Sequence, residues 1–396
     1  MMNTNSTRLR IVIALVAVFL VISAGRSAAV APINLVIDAD PGVDDATALV
    51  WLFYQTTYPV NVLGIGTVLG NTTPLNGANN ALTVLDAVGR RDIPVAVGSP
   101  EPLSQPLNLG PWLGLRSPAF LHGPDGLWQI GQQHPHIPSD FDKRDVPTFY
   151  RDIANAHPGA TLLVLGPLTN IAQAFARYPD AMQRFGRIVI GGGARNGGNR
   201  TPSAEYSFWQ DPEAVSQVLS ASRRPPIVIL PMDAFQQFSM TLDDVRDLCD
   251  RGRDALRLIC PALAQFVSNQ INPPVGRSRA WIPDVATAMY ALDASLGKAQ
   301  TGLVRIITGN DRMRGHTEIA LTLFERITMI SSDSELNQLT EVALSDPASL
   351  PAKIGELLVR APDNAGIVVD INEMAMHKIF RRAVTHHAGD AAWPQD

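Results

Sequence analysis

Cysteine is almost missing from this chain: 396 residues carry two, Cys249 and Cys260. With no Cys-x-x-Cys pair and no clustered histidines, the composition argues against a zinc site or a thioredoxin-like redox motif. The two thiols are open to either reading, one disulfide or two buried side chains. Positive charge is also short, with 32 Lys and Arg against 37 Asp and Glu and a net charge of −5. An acidic protein is a poor partner for nucleic acid or an anionic membrane surface. Long apolar runs are lacking too. The longest, residues 11–22, is too short to span a bilayer, follows Arg8 and Arg10, and precedes the small residues of 23–31. That is the layout of a secretory signal, with an uncleaved anchor as the alternative. Removing residues 1–31 deletes three Arg and no acid, so the net charge of −5 becomes −8. Export, periplasmic or secreted, is therefore expected, without stable membrane association after cleavage. Repeats, low-complexity tracts and linkers are absent as well, so residues 32–396, in a chain that is 46% hydrophobic, are expected to form one domain.

What the chain does have is an unusual density of acid at one point. Residues 34–46 read NLVIDADPGVDDA: a β-branched run, then Asp38, Asp40, a Pro-Gly turn, and Asp44 and Asp45 opening a helical pattern. Four carboxylates this close at the end of a buried strand repel one another, and a bound cation is the simplest way to hold them. Hard oxygen ligands point to Ca²⁺ or Mg²⁺. Two other readings use the same residues: Asp44 or Asp45 as a helix N-cap with Asp38 ordering the loop, and the Asp-x-Asp loop of an aspartyl-nucleophile phosphotransferase. The latter usually carries Thr or Val where this chain has Pro41.

Downstream, β-rich and helical segments alternate: helix 46–54, strand 60–68, helix 75–88, strand 93–97, strand 161–165, helix 171–177, strands 187–190 and 227–231. The pattern predicts an α/β fold with an open, mostly parallel central sheet flanked by helices, whose ligands lie beyond the carboxyl ends of the strands. Asn71 follows the second strand and faces the acidic loop in that arrangement. Residues 98–146 are rich in Pro, Gly and His without periodicity, a stretch more often functional than accidental. Helices 242–249, 255–269 and 285–292 follow. The last third carries β-rich runs at 304–308, 318–323 and 328–331, a helix at 352–359, a strand at 365–370 and a helix at 372–384.

Five segments in order, Asp-x-Asp-Pro-Gly-x-Asp-Asp from Asp38, His-Gly-Pro-Asp-Gly-Leu from His122, Gly-Pro-Leu-Thr-Asn from Gly166, Ala-Glu-Tyr-Ser from Ala204 with Asp-Pro-Glu-Ala from Asp211, and Trp-Ile-Pro-Asp from Trp281, resemble the inosine-uridine preferring nucleoside hydrolase family. The resemblance implies Ca²⁺-dependent hydrolysis of the N-glycosidic bond of a ribonucleoside. It implies Asp40 as general base and metal ligand, with Asp45, Asp284 and the Thr169 carbonyl completing the cage. Asp44, Asn71, Glu205 and Asp284 would hold ribose hydroxyls, and a homo-oligomer is expected. Three positions depart from the family pattern. Ser207 stands for a ribose-binding Asn, Ile190 for a Met, and Pro283 for the His that protonates the leaving base. Proline offers no proton, so His122 is the expected substitute donor, and Trp281 is expected to stack on a base. The same departures leave two alternatives, a nucleoside-binding protein with weakened catalysis and a hydrolase of another ribosyl compound whose leaving group departs unaided.

Overall fold

The computed structural model describes residues 31–104, 118–309 and 312–385. The expected signal segment lies, apart from Ala31, outside them. The first strand, β1 (Ile33–Ala39), is buried from Leu35 onward. Its side chains alternate between two cores: Leu35, Ile37 and Ala39 face one hydrophobic cluster and Val36 faces the other. A strand covered on both faces is what the unbroken apolar run requires.

Around it stand β2 (Val60–Thr67), β3 (Val95–Val97), β4 (Thr161–Val164), β5 (Arg187–Gly191) and β6 (Ile227–Leu230), joined in the order β3-β2-β1-β4-β5-β6 by parallel ladders. The chain moves outward in one direction from β1 to β3 and then returns to the other side of β1 with β4. The crevice beyond the carboxyl ends of β1 and β4 is therefore the topological switch point, where open α/β sheets bind their ligands. A short antiparallel ribbon, β7 (Ser239–Met240) with β8 (Ala280–Trp281), carries the chain back to that end. The sheet is completed by β9 (Gly297–Ile306), β10 (Thr317–Ala320) and β11 (Ala365–Ile371), with β11 parallel to β6 and β9 antiparallel to β11. The sheet has nine strands and is mostly parallel. The expected strand at 365–370 is β11, which extends the parallel part of the sheet beyond β6.

One other expectation fails in the last third. Residues 328–331 read as a strand but belong to the helix Leu323–Ile330. Thr322 and Glu325 form a reciprocal capping box there, and Ser332 with Glu335 opens the unexpected helix Asp333–Ser345 in the same way. Cap chemistry outweighs a short run of β-formers. Cys249 and Cys260 form a disulfide, linking the helices Leu242–Arg251 and Asp254–Ile271. Among the described residues, no helix is long and apolar enough to cross a membrane.

Two glycines of β2 bring the helix Val146–Ala156 hard against the sheet. A Cβ on Gly64 would lie 2.3 Å from the Phe149 ring, and one on Gly66 2.1 Å from the Tyr150 hydroxyl. That hydroxyl donates to Asp38 Oδ2 at 2.5 Å, so close packing at Gly66 also serves the acidic loop. Gly66→Ala should push Tyr150 off Asp38 and cost about 1–3 kcal/mol, the usual toll of overpacking. Urea unfolding monitored by circular dichroism measures it, and an unchanged midpoint would show that the contact has slack.

Candidate active site

The acidic loop sits at the switch point because β1 ends there, and its backbone is fixed before its side chains are. Leu165 N donates to Asp38 O and Val68 N to Ala39 O, which carries the ladders on both sides to the last residues of β1. Asp38 orders this end as expected: its Oδ2 accepts from Tyr150 and, at 2.7 Å, from Asn170 Nδ2. Burial pushes its carboxyl up to about 7 against those two hydrogen bonds.

Asp40 is pinned by close backbone. Its Oδ2 accepts from Asn71 N at 2.7 Å. A Cβ on Gly70 would fall 1.8 Å from that oxygen, and one on Gly166 would fall 2.7 Å from Oδ1. Asp44 and Asp45 open the helix Val43–Tyr54, where the N-terminal dipole favours anions. Asp45 Oδ2 accepts from Gly42 N at 3.0 Å and from Asn71 Nδ2 at 3.1 Å, so Asn71 braces two acids at once. Asp284 arrives in the first turn of Pro283–Leu292.

Asp44, Asp45 and Asp284 each place a carboxylate oxygen within 4.8 Å of the others. All are buried, and Asp40, Asp44 and Asp284 are held well above the usual carboxylate range, first by burial and then by their mutual charge. Oδ1 of Asp44 and Oδ1 of Asp45 meet no hydrogen-bond donor. Asp45 and Asp284 are close enough to share a proton when no cation lies between them. Buried acceptors without donors, on carboxylates grouped this tightly, fit a hard divalent cation. The expected ligands Asp45 and Asp284 thus converge. The third member of the tight group is Asp44, with Asp40 coupled to it by charge.

These acids floor a cavity of about 440 Å³, lined also by Asn71, His122, Glu205, Ser207 and Trp281. Asp45 lies behind the floor. Thr169 differs from expectation: it begins the helix Thr169–Arg177, does not line the cavity, and commits its hydroxyl to Asp211 at 2.6 Å. The residue that reaches the cavity here is Leu165, immediately before the Gly-Pro-Leu-Thr-Asn turn. Glu205 caps the helix Tyr206–Gln210, accepting from Ser207, Phe208 and Gly193 amides, while Tyr206 donates its hydroxyl to Gly70 O.

His122 reaches the floor from the Gly-rich turn. Gly123 and Gly126 take φ of 77° and 90°, and Asp125 Oδ1 accepts from Leu127 and Gln129 amides, which closes the turn. His122 Nδ1 accepts from Val43 N at 3.1 Å, and burial pushes the ring down to about 3. The neutral ring therefore carries its proton on Nε2, where it can donate a hydrogen bond. Trp281 lines the cavity with one indole face covered by the Arg277 guanidinium, 3.6 Å from the ring centroid. Arg277 and Gln270 were not singled out from sequence. A lone Arg in a Pro-rich loop carries no motif.

Fold and site together define a hydrolase of α/β type built around an acidic, cation-ready floor. The sequence model of the inosine-uridine preferring nucleoside hydrolases matches residues 35–374, and the chain belongs to that family. It is accordingly an N-ribosyl hydrolase, an enzyme acting on the bond between ribose and base. Among its relatives are a pyrimidine-specific ribonucleoside hydrolase of Shewanella woodyi, 30% identical over 72% of this chain and 87% of the relative, and a probable uridine nucleosidase of Arabidopsis thaliana, 29% identical over 83% and 97%. A plant nucleoside hydrolase structure superposes with a TM-score of 0.70 at 24% identity, covering 90% of this chain and 99% of the other. A purine-preferring ribonucleoside hydrolase from Gardnerella vaginalis gives 0.68 at 20% identity, over 88% and 96%.

If the floor is built for a cation, its charges should cost stability when none is present. Asp284→Asn should then be more stable than the native protein in chelator, and less stable in excess Ca²⁺. At a concentration 100-fold above Kd the native protein should gain about 2.7 kcal/mol from the cation. Thermal unfolding in both buffers checks the inversion, and the same order in both would argue against a cation site.

Proposed function

We propose that the enzyme hydrolyses pyrimidine ribonucleosides, uridine foremost, with Ca²⁺ held by Asp45 and Asp284 and completed by Asp40 and Asp44. The observation that carries the metal reading is the convergence of the buried Asp44, Asp45 and Asp284 carboxylates within 4.8 Å, with one oxygen on each of Asp44 and Asp45 that accepts no hydrogen bond. A backbone oxygen from this strand end would come from Leu165, which lines the cavity immediately before the Gly-Pro-Leu-Thr-Asn turn. The names of the relatives support the base, since two of them specify pyrimidine or uridine.

A divalent cation there supplies Lewis acidity to a water and counter-charge to the acids. The chain does the rest. Asp40, fixed by Asn71 N between two close glycines, takes the proton of the attacking water. Asp44, Asn71 and Glu205 bind ribose hydroxyls and orient C1′ toward that water. Glu205 is already held by three amides, so its carboxylate meets a hydroxyl without moving. Ser207, buried beside it, offers a shorter hydroxyl than an Asn amide and binds the sugar more loosely. Pro283 gives the leaving base no proton, and neutral His122 gives it at most a hydrogen bond. The disulfide, together with the Arg-flanked apolar N-terminal run, supports export into an oxidising compartment. As in the sequence-based expectation, we take the active form to be a homo-oligomer.

Uridine should yield free ribose and uracil, with activity lost in chelator and restored by Ca²⁺. Because the floor is polar and made for hydroxyls, 2′-deoxyuridine should be cleaved slower by a factor on the order of 10⁴. Reducing-sugar release measures both rates. Equal rates on the two nucleosides would overturn the ribose assignment.

A further inference from the structure

The cavity that the acids line also has a cationic residue in its wall. Arg277 stands in the loop between the helix Asp254–Ile271 and β8, half-buried and lining the same cavity as Pro283 and Asp284. Its guanidinium is fixed from two directions. It lies over the Trp281 ring at 3.6 Å, and Nη1 donates to Gln270 Oε1 at 2.7 Å. Gln270 is itself 1% exposed and cannot turn over. Its Oε1 also accepts from Trp281 N at 3.0 Å, and its Nε2 donates to Trp281 O at 3.2 Å. A flip of the amide would set NH₂ against both donors.

Among the described residues, no carboxylate lies within ion-pair distance of Arg277. Burial without an anion lowers the guanidinium to about 10, which still leaves it charged at neutral pH. A half-buried, rigid cation with spare N–H donors and no anionic partner among the described residues, lining a ligand cavity, is arranged to receive negative charge. The reaction produces such charge at one place, the base, because Pro283 removes the proton donor from its side.

Resting on the proposed nucleoside hydrolysis, we infer that Arg277 is a catalytic residue that stabilises the departing base as its anion, so that this enzyme expels the base by electrostatic stabilisation and not by protonation. The C1′–N bond breaks with its electron pair passing to the ring nitrogen, and the water oxygen bonds to C1′ while its proton passes to Asp40. The base leaves as an anion and takes a proton from solvent on release. The guanidinium fork donates to the carbonyl oxygen next to the breaking bond, where a 2,4-dioxopyrimidine carries part of the charge. Substrates whose base is a stable anion should be preferred. Uridine should exceed cytidine and adenosine, and 5-fluorouridine should exceed uridine.

The test compares Arg277→Gln and Arg277→Lys with the native enzyme on 5-fluorouridine, uridine and 4-nitrophenyl riboside, whose phenolate leaves without help. Losing one such donor should lower kcat on uridine by about 10²-fold, less on 5-fluorouridine and least on the nitrophenyl compound. The dependence of rate on leaving-group acidity should thus steepen. Arg277→Lys, which keeps the charge but not the fork, should lie between, and its selectivity ratio decides the matter if Arg277→Gln does not fold. Equal losses on all three substrates, or no loss on uridine, would overturn the assignment and leave the hydrolase reading intact. If the native enzyme released ribose from none of them, the hydrolase reading itself would fall, and this inference with it.

Discussion

The structure depends on keeping five buried carboxylates at one end of a sheet. Asp38, Asp40, Asp44, Asp45 and Asp284 are each 6% exposed or less, and no Lys or Arg forms an ion pair with any of them among the described residues. Burial disfavours each charge and proximity disfavours them jointly. The fold answers with neutral donors: the Gly42 and Asn71 amides, the Asn71 and Asn170 side chains and the Tyr150 hydroxyl. Those donors are too few, since one oxygen on each of Asp38, Asp44 and Asp45 is left over. The shortage is local and directed. Asp38 is structural and lies away from the cavity, whereas Asp44 and Asp45 belong with Asp284 to one group of carboxylates within 4.8 Å of one another, a setting that suits a cation.

Much of the surrounding structure follows from that requirement. Gly70 and Gly166 exist as glycines because any Cβ there would collide with Asp40. Gly42 lets His122 and Asn71 approach the loop, where a Cβ would stand 2.5 Å from the imidazole Nδ1. Asn80 ties the two loops together, its Nδ2 donating to the carbonyls of Pro41 and Asp125. The Asp-rich loop and the His-Gly-Pro-Asp-Gly-Leu turn are thus two halves of one construction.

How much of this could be read in the sequence follows from the kind of signal each part leaves. The parallel sheet was legible because buried strands write continuous β-branched runs, and the floor because clustered carboxylates have few structural uses. Asn71 and Glu205, singled out by position after a strand and by motif, both line the cavity. Which backbone carbonyl at this strand end serves the site leaves no mark in sequence, because any residue has one: the resemblance implied Thr169, whereas the residue that lines the cavity is Leu165, just before the 166–170 turn. Helices after residue 320 were misread where caps outweighed propensity. Arg277 was invisible because its meaning lies in what surrounds it, an indole, a locked Gln270 and the lack of an anion, all set by tertiary structure.

The two walls of the cavity answer to different physical demands. On the proposed reading the floor holds a cation and ribose, which are the same for every nucleoside, and its residues come from strand ends and helix N-termini that the fold fixes. The other wall must match a base and tolerate its charge as the bond breaks, and it is built from a Pro-rich loop, one helix face and Trp281. On the proposed reading Pro283 offers the leaving base no proton, and that wall carries the charge by other means. An arginine held against an aromatic ring does so without proton transfer, and its cost in desolvation is borne by cation–π contact and the Gln270 clamp. Such a site gains from bases that are already good anions and gives little to those that need protonation. Substrate preference would then be set by the chemistry of leaving more than by the shape of the base.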